Sequence, residues 1–207
     1  MGETIEKTVT IGDEINWAYT VNEDNTLTLN RYWGTSTTVI VPSEINGLKV
    51  TKIGGNSDYQ NIWDKTICNG ETKLGCGSVY IQDTIEKIIL TEGLKEISNN
   101  AFVYTTKLRE IVITDSVTSI GEKAFWGCSA LESINIPNSV KIIGSDAFYR
   151  CSSLTSINIP NSVTTMKRGV FYGCTQLSTI NIDSTTIPST WDSEWNEGCT
   201  ATIVLKQ

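Results

Sequence analysis

The strongest constraint on this chain is that it repeats itself. "LESINIPNSVKIIGSDAFYRCSS", residues 131–153, is followed at once by "LTSINIPNSVTTMKRGVFYGCTQ". Leu108, Leu131, Leu154 and Leu177 stand 23 residues apart, and the same interval relates Ile111, Ile134, Ile157 and Ile180, then Ile113, Ile136, Ile159 and Ile182. Further along each unit come Val117, Val140 and Val163, then Ile120, Ile143 and Met166, then Phe125, Phe148 and Phe171, and last Cys128, Cys151 and Cys174. One unit upstream, Ile85, Ile88, Leu90, Leu94, Ile97, Ala101 and Phe102 keep the frame, with Thr105 in the cysteine place. A unit this short cannot bury its own apolar side. Stacked units can, each covering the next, so the period predicts a solenoid of roughly six coils.

The chemistry inside a unit is legible. "LESINI" alternates apolar and polar residues, the pattern of a short strand with one buried face. Pro137 or Pro160 ends the strand because proline has no ladder donor, and Asn-Ser supplies turn chemistry. "VKIIG" then turns the chain. "SDAFYRC" reads as one or two helical turns that present Ala147, Phe148 and Cys151 inward. The expected fold is therefore a mixed α/β repeat solenoid, a right-handed coil of short parallel strands and short helical turns with capped ends.

The unit, in "LxxIxIPxSVxxIgxxAFxxCxx" style, resembles the BspA-like leucine-rich repeats, and residues 85–182 follow it closely. "NWAYTVNEDNTLTLNRYWGTSTTVIVPSEINGLKVTKIGG" is similar to the opening of that family, a hairpin followed by an irregular first coil. In that coil Val39, Val41, Pro42, Val50, Ile53 and Gly54 take the repeat roles, with an expansion around Gly47. The resemblance implies one leucine-rich repeat domain over 1–207: an N-terminal cap hairpin (1–38), the irregular coil (39–54), an insertion (55–84), regular repeats (85–182) and a C-terminal cap (183–207). It also implies a secreted or cell-surface protein whose role is adhesion and protein binding.

Composition removes other classes. Of 207 residues, 39% are hydrophobic and 19% charged, as in folded proteins. The net charge is −7 and the 16 basic residues form no run, which leaves little driving force for binding nucleic acid. No apolar run of about 18 residues is present, so no membrane-spanning helix is expected, and no signal peptide opens the sequence. Histidine is absent, which removes Ser-His and Cys-His nucleophile pairs and the commonest zinc ligand. No cofactor is expected, and no metal site: the periodic cysteines form a buried column, which Cys199 extends, rather than the close Cys pairs of zinc sites.

Candidate binding residues fall into three groups. Lys87, Ile89, Glu110, Val112, Ser133, Asn135, Ser156, Asn158, Thr179 and Asn181 occupy the outward strand positions, and the asparagines are expected to stack as a ladder. Solenoids dock partners on such faces, while small polar side chains also suit a merely solvated sheet. In the insertion, Tyr59 and Trp63 are candidate anchors for a protein or glycan partner. Cys68 and Cys76 flank "NGETKLG" and either bridge across a tight reversal or remain free thiols. Trp17, Tyr19, Tyr32 and Trp33 pack the N-terminal cap, Trp191 and Trp195 the C-terminal one, and Trp126, Tyr149 and Tyr172 form an outer row. Asp192, Glu194 and Glu197 lack the matching acid across a cleft, about 5–10 Å away, that glycoside hydrolysis requires. "NEDN" at 22–25 reads as a hairpin tip.

The expectation is thus a non-enzymatic binding module of an extracellular or cell-surface protein, adhering to host or matrix proteins or to other cells. A structural spacer that displays other domains of a longer parent is the alternative.

Overall fold

In a computed structural model, residues 7–11, 15–32, 36–54 and 84–207 are described. Tyr59, Trp63, Cys68, Cys76 and Trp33 lie outside them. Strands β1 (Lys7–Ile11), β2 (Ile15–Val21) and β3 (Leu27–Tyr32) form an antiparallel meander. The β2–β3 turn is the expected hairpin tip, where Asn25 takes φ 60° and the Asp24 carboxylate accepts from the Thr26 amide and hydroxyl at 3.1 and 2.7 Å. After β4 (Thr38–Ile40), β5 (Glu44–Ile45) and β6 (Leu48–Ile53) form a second hairpin. Its Asn46-Gly47 turn has φ 52° and 78°, the left-handed pair that suits a two-residue reversal. This hairpin is the expansion at Gly47 that the sequence shows.

From β7 (Lys87–Ile89) onward each coil carries two strand positions. One sheet orders β4, β7 and β9 (Glu110–Val112), all parallel. A second set follows as β12 (Ser156–Ile159), β14 (Thr179–Ile182) and β15 (Thr202–Leu205), with Asn135 bridging to Asn158. The other position gives β8 (Glu96–Ile97), β10 (Ser119–Ile120), β11 (Ile142–Ile143) and β13 (Thr165–Met166). These extend β1-β2-β3-β6 into a sheet that is nine-stranded once β5, paired to β6, is included. "VKIIG" is therefore a short strand as well as a bend: a two-residue strand buries one side chain and leaves no alternation to read.

The helical turns do not form: among the described residues there is no helix. The reason lies in "SDAFYRC". Asp146 and Arg150 adopt φ 55° and 57°, and Lys123 with Gly127, and Gly169 with Gly173, do the same one coil away on either side. A right-handed helix cannot pass through such residues. The amides of Asp146, Phe148 and Arg150 instead donate outward, to the carbonyls of Arg168, Val170 and Tyr172 in the next coil, at 3.0, 2.9 and 2.8 Å. The segment is a run of tight turns whose alternate amides build a third ladder between coils. Each coil is bonded to its neighbour on three sides.

The inward positions are as expected from the period. Phe102, Phe125, Phe148 and Phe171 are fully buried and stack at 5.3, 5.2 and 5.7 Å between successive ring centres. One apolar cluster runs from Trp17, Tyr19 and Tyr32 to Trp191 and Trp195. Trp195 lies edge-on to Phe171 at 6.2 Å, and the Trp191 indole donates to the Val163 carbonyl at 3.0 Å.

The cysteine column has a polar function within this core. The thiols of Cys128, Cys151 and Cys174 donate to the carbonyls of Phe102, Phe125 and Phe148, 26 residues back, at 3.0–3.2 Å. Thr105 does the equivalent within its own coil, its hydroxyl donating to Phe102 at 2.9 Å. Burial pushes the Cys128 and Cys174 thiols up to about 12 and Cys151 well above its ordinary value, so all three stay protonated. Cys199 continues the column only partly buried. On the native protein, an alkylating reagent at mildly alkaline pH is expected to label Cys199 well before the other three, which react only on unfolding. Peptide mapping by mass spectrometry checks this, and labelling of Cys151 at the rate of Cys199 would contradict it.

Candidate binding face

The outward residues of the first strand position form two columns. In one, Lys87 pairs with Glu110 by register, as Ser156 does with Thr179 and Thr179 with Thr202; Ser133 is exposed on the intervening coil. Lys87 and Glu110 also form an ion pair at 2.8 Å. Pairs this exposed contribute little to stability, so these side chains are available to a partner.

The other column changes character along its length. It begins with Ile40, Ile89 and Val112, of which Ile40 is 55% and Val112 40% exposed. It continues with Asn135, Asn158 and Asn181 and ends with Val204. Of the expected amide ladder the Asn158–Asn181 rung forms, with Asn181 Nδ2 donating to Asn158 Oδ1 at 2.9 Å, while Asn135 lies in register with Asn158.

Beside this ladder lies an open groove of about 510 Å³. Asn135, Asn158 and Asn181 line it together with residues that strand reading alone misses: Pro137, Pro160, Asp115, Asn138, Asp183 and Lys206. Prolines end the strands here, so the wall is made of the turn that follows. The repeat frame carries the signal, since Asp115 and Asn138 occupy the same place one unit apart. Lys206 closes on Asp183 at 2.6 Å at one end of the groove. Parallel coils stack about 4.8 Å apart, so the three amides offer donors and acceptors at regular intervals along the axis.

A second exposed feature lies on the turn side. Trp126 stacks on Tyr149 at 4.0 Å and Tyr149 on Tyr172 at 4.9 Å, with the ring planes nearly parallel. The Trp126 indole donates to the Tyr104 hydroxyl at 3.3 Å. Lys123 and Arg150 sit over Trp126 and Tyr149 at 5.5 and 5.4 Å. The stacking consumes the ring faces. Tyr104 and Tyr172 in turn roof Gly127 and Gly198, where a Cβ would come within 2.6 and 2.3 Å of the rings. The row is thus accounted for by intercoil packing.

The acidic residues near the C-terminus have polar partners within the chain. Glu194 and Glu197 both pair with Arg168, at 3.2 and 3.0 Å, and the Asp192 carboxylate accepts from the Glu194 amide at 2.9 Å. Among the described residues no three Cys, Asp or Glu side chains converge as a metal-ligand set, and no helix is long and apolar enough to cross a membrane.

Parallel coils with buried columns of Leu, Ile and Phe define a leucine-rich repeat solenoid with an open strand face. Its particular kind follows from the repeat itself: residues 73–199 match the BspA type leucine rich repeat region in six copies, and the chain belongs to that family, which is generally non-enzymatic. Among solved structures the chain is similar to a leucine-rich repeat protein of T. pallidum, with 26% identity and a TM-score of 0.70 over 95% of this chain and 80% of the other. A leucine rich cell surface protein of Faecalibacterium prausnitzii is also similar, with 26% identity and a TM-score of 0.64 over 96% of this chain and 54% of the other. The pneumococcal vaccine antigen PcpA shares the fold at 20% identity and a TM-score of 0.60, over 96% of this chain and 49% of that one. The chain thus spans about half the length of the last two. No curated protein matches it in sequence.

Proposed function

We propose that this chain is a non-enzymatic binding module of a secreted or cell-surface protein, which adheres to host or matrix proteins or to other cells by docking an extended segment of a protein partner along the strand face. The observation that carries this reading is the groove of about 510 Å³ beside the Asn135, Asn158 and Asn181 ladder. Its polar groups face solvent, and the exposed Ile40 and Val112, with the half-buried Ile89 between them, continue the same column as an apolar contact strip. Leucine-rich repeats generally mediate protein interactions, and one structural relative is described as a cell surface protein. Tyr59 and Trp63 would add anchors from the insertion.

Replacing Asn135, Asn158 and Asn181 together by Ala is expected to weaken capture of an extracellular-matrix protein at least about tenfold, since each lost hydrogen bond is worth about 0.5–1.5 kcal/mol. The melting temperature should barely move. Surface plasmon resonance on immobilised matrix proteins, with Trp63→Ala alongside, makes the measurement. A wild-type chain that captures none of them would sink the proposal. That result would favour the spacer, which the Asn181–Asn158 bond also supports by satisfying those amides internally.

A further inference from the structure

The groove beside the asparagine ladder is built from columns, and their pitch selects what can lie in it. Asn135, Asn158 and Asn181 form one wall, the buried Ile136, Ile159 and Ile182 the floor, and Pro137 and Pro160 the start of the other wall. Members of each column stand 23 residues apart, one coil, so the groove runs along the axis of the stack. Neighbouring strands lie about 4.8 Å apart, so an occupant meets equivalent side chains at that interval, and at about 9.6 Å on alternate coils.

Three regular peptide conformations can be set against this spacing. A β-strand repeats every two residues, about 6.6 Å, and is about 1.8 Å out of step at the first coil. An α-helix advances about 5.4 Å per turn, drifts about 0.6 Å per coil and is about 10–12 Å across. A polyproline II segment has three residues per turn at about 3.1 Å each. It returns to the same face after about 9.3 Å, within about 0.3 Å of two coils. Its backbone makes no internal hydrogen bonds, so its carbonyls take donors from outside.

The ladder wall offers donors at that interval. Asn135 and Asn181 stand two coils apart. Among the described residues the Asn135 side chain makes no hydrogen bond. Asn181 uses one Nδ2 hydrogen on Asn158 Oδ1, which orients the amide, and keeps the other. The isoleucine and proline surfaces below suit pyrrolidine rings, which bring apolar area and no donor of their own.

Charge distinguishes the two ends. Asp115 lies at one end of the groove, and Glu92 takes the equivalent place one coil further out. Among the described residues neither forms an ion pair, whereas at the opposite end Asp183 is held by Lys206 at 2.6 Å. The unpaired acids call for a cation on the partner.

Resting on the strand-face reading, we propose that the docked segment is a single proline-rich stretch in polyproline II conformation. Carbonyls three residues apart accept from Asn135 and Asn181, and a Lys or Arg of the partner lies over Asp115 and Glu92. Over the five coils that line the groove such a stretch needs about six residues.

Fluorescence anisotropy on the whole chain tests this with three labelled peptides of equal length. One is an arginine followed by a run of prolines; the others replace the prolines by Gly-Ser or by alternating Thr-Val. The proline peptide is expected to bind at least about tenfold more tightly than either, and to displace a captured matrix protein. Asn135→Ala should weaken it about fivefold, the worth of one hydrogen bond, with an unchanged far-ultraviolet circular dichroism spectrum. Replacing its arginine by glutamate should weaken it further than replacement by alanine. Equal binding of the three peptides, or an Asn135→Ala chain that binds the proline peptide like the wild type, would overturn the proposal. If matrix proteins are captured but the proline peptide neither binds nor competes, this inference fails and strand-face docking stands. If nothing is captured and no peptide binds, both fail.

Discussion

Phe148→Ala is expected to lower the unfolding free energy by about 3–5 kcal/mol, the range for emptying a fully buried aromatic site. Phe148 is fully buried, and its ring has Phe125 at 5.2 Å on one side and Phe171 at 5.7 Å on the other. No side chain nearby can swing in to fill the gap, because each neighbour is itself fixed in the column. The loss should also spread. Stability in a stack is a sum of coil and interface contributions, and this substitution weakens two interfaces at once. Urea unfolding followed by circular dichroism measures the effect, with Asn158→Ala as the comparison. Asn158 is exposed and loses one hydrogen bond at the surface, so its replacement should leave the midpoint almost unchanged. Equal losses for the two variants would contradict the assignment of inner and outer faces.

The second large effect is expected at a glycine. A Cβ added to Gly144 would lie 2.5 Å from the Glu122 amide nitrogen and 2.6 Å from the Gly121 carbonyl carbon. Both are backbone atoms of the preceding coil, so relief requires the coils themselves to separate. Gly144→Ala should therefore cost about 3 kcal/mol, the upper part of the usual overpacking range. It should also weaken the hydrogen bond from the Gly144 amide to the Ile120 carbonyl, 2.9 Å long. Thermal unfolding gives the magnitude. Faster amide exchange at Gly144 would place the damage between these two coils, and an unchanged melting temperature would show that the close approach is not rigid.

The period made the inner columns readable, because burial repeats at equivalent sites: Leu131 and Leu154, Phe125 and Phe148, and Cys128 and Cys151 all lie inside. The amide ladder was readable for the same reason. What misled the reading of "SDAFYRC" was local composition. Ala147 and Phe148 with an inward Cys151 fit a helix, but the bonds between coils require Asp146 and Arg150 to be left-handed, and side-chain chemistry at those two positions does not announce it. The aligned glycines at 127, 169 and 173 carry that information, visible only when units are compared place by place. Strand β11 escaped because Ile142 is 45% exposed and only Ile143 is buried, too little for a period. The groove wall escaped because it begins where Pro137 and Pro160 end the strands.

Three ladders bind each coil to the next, and among the described residues no helix holds a coil to itself. A pull on the two chain ends would therefore peel the stack from its termini, one 23-residue turn at a time. Each release would pay out roughly 80 Å of slack, at about 3.3–3.6 Å per residue. A stack built this way lengthens under load in even steps, and can rewind when the load falls.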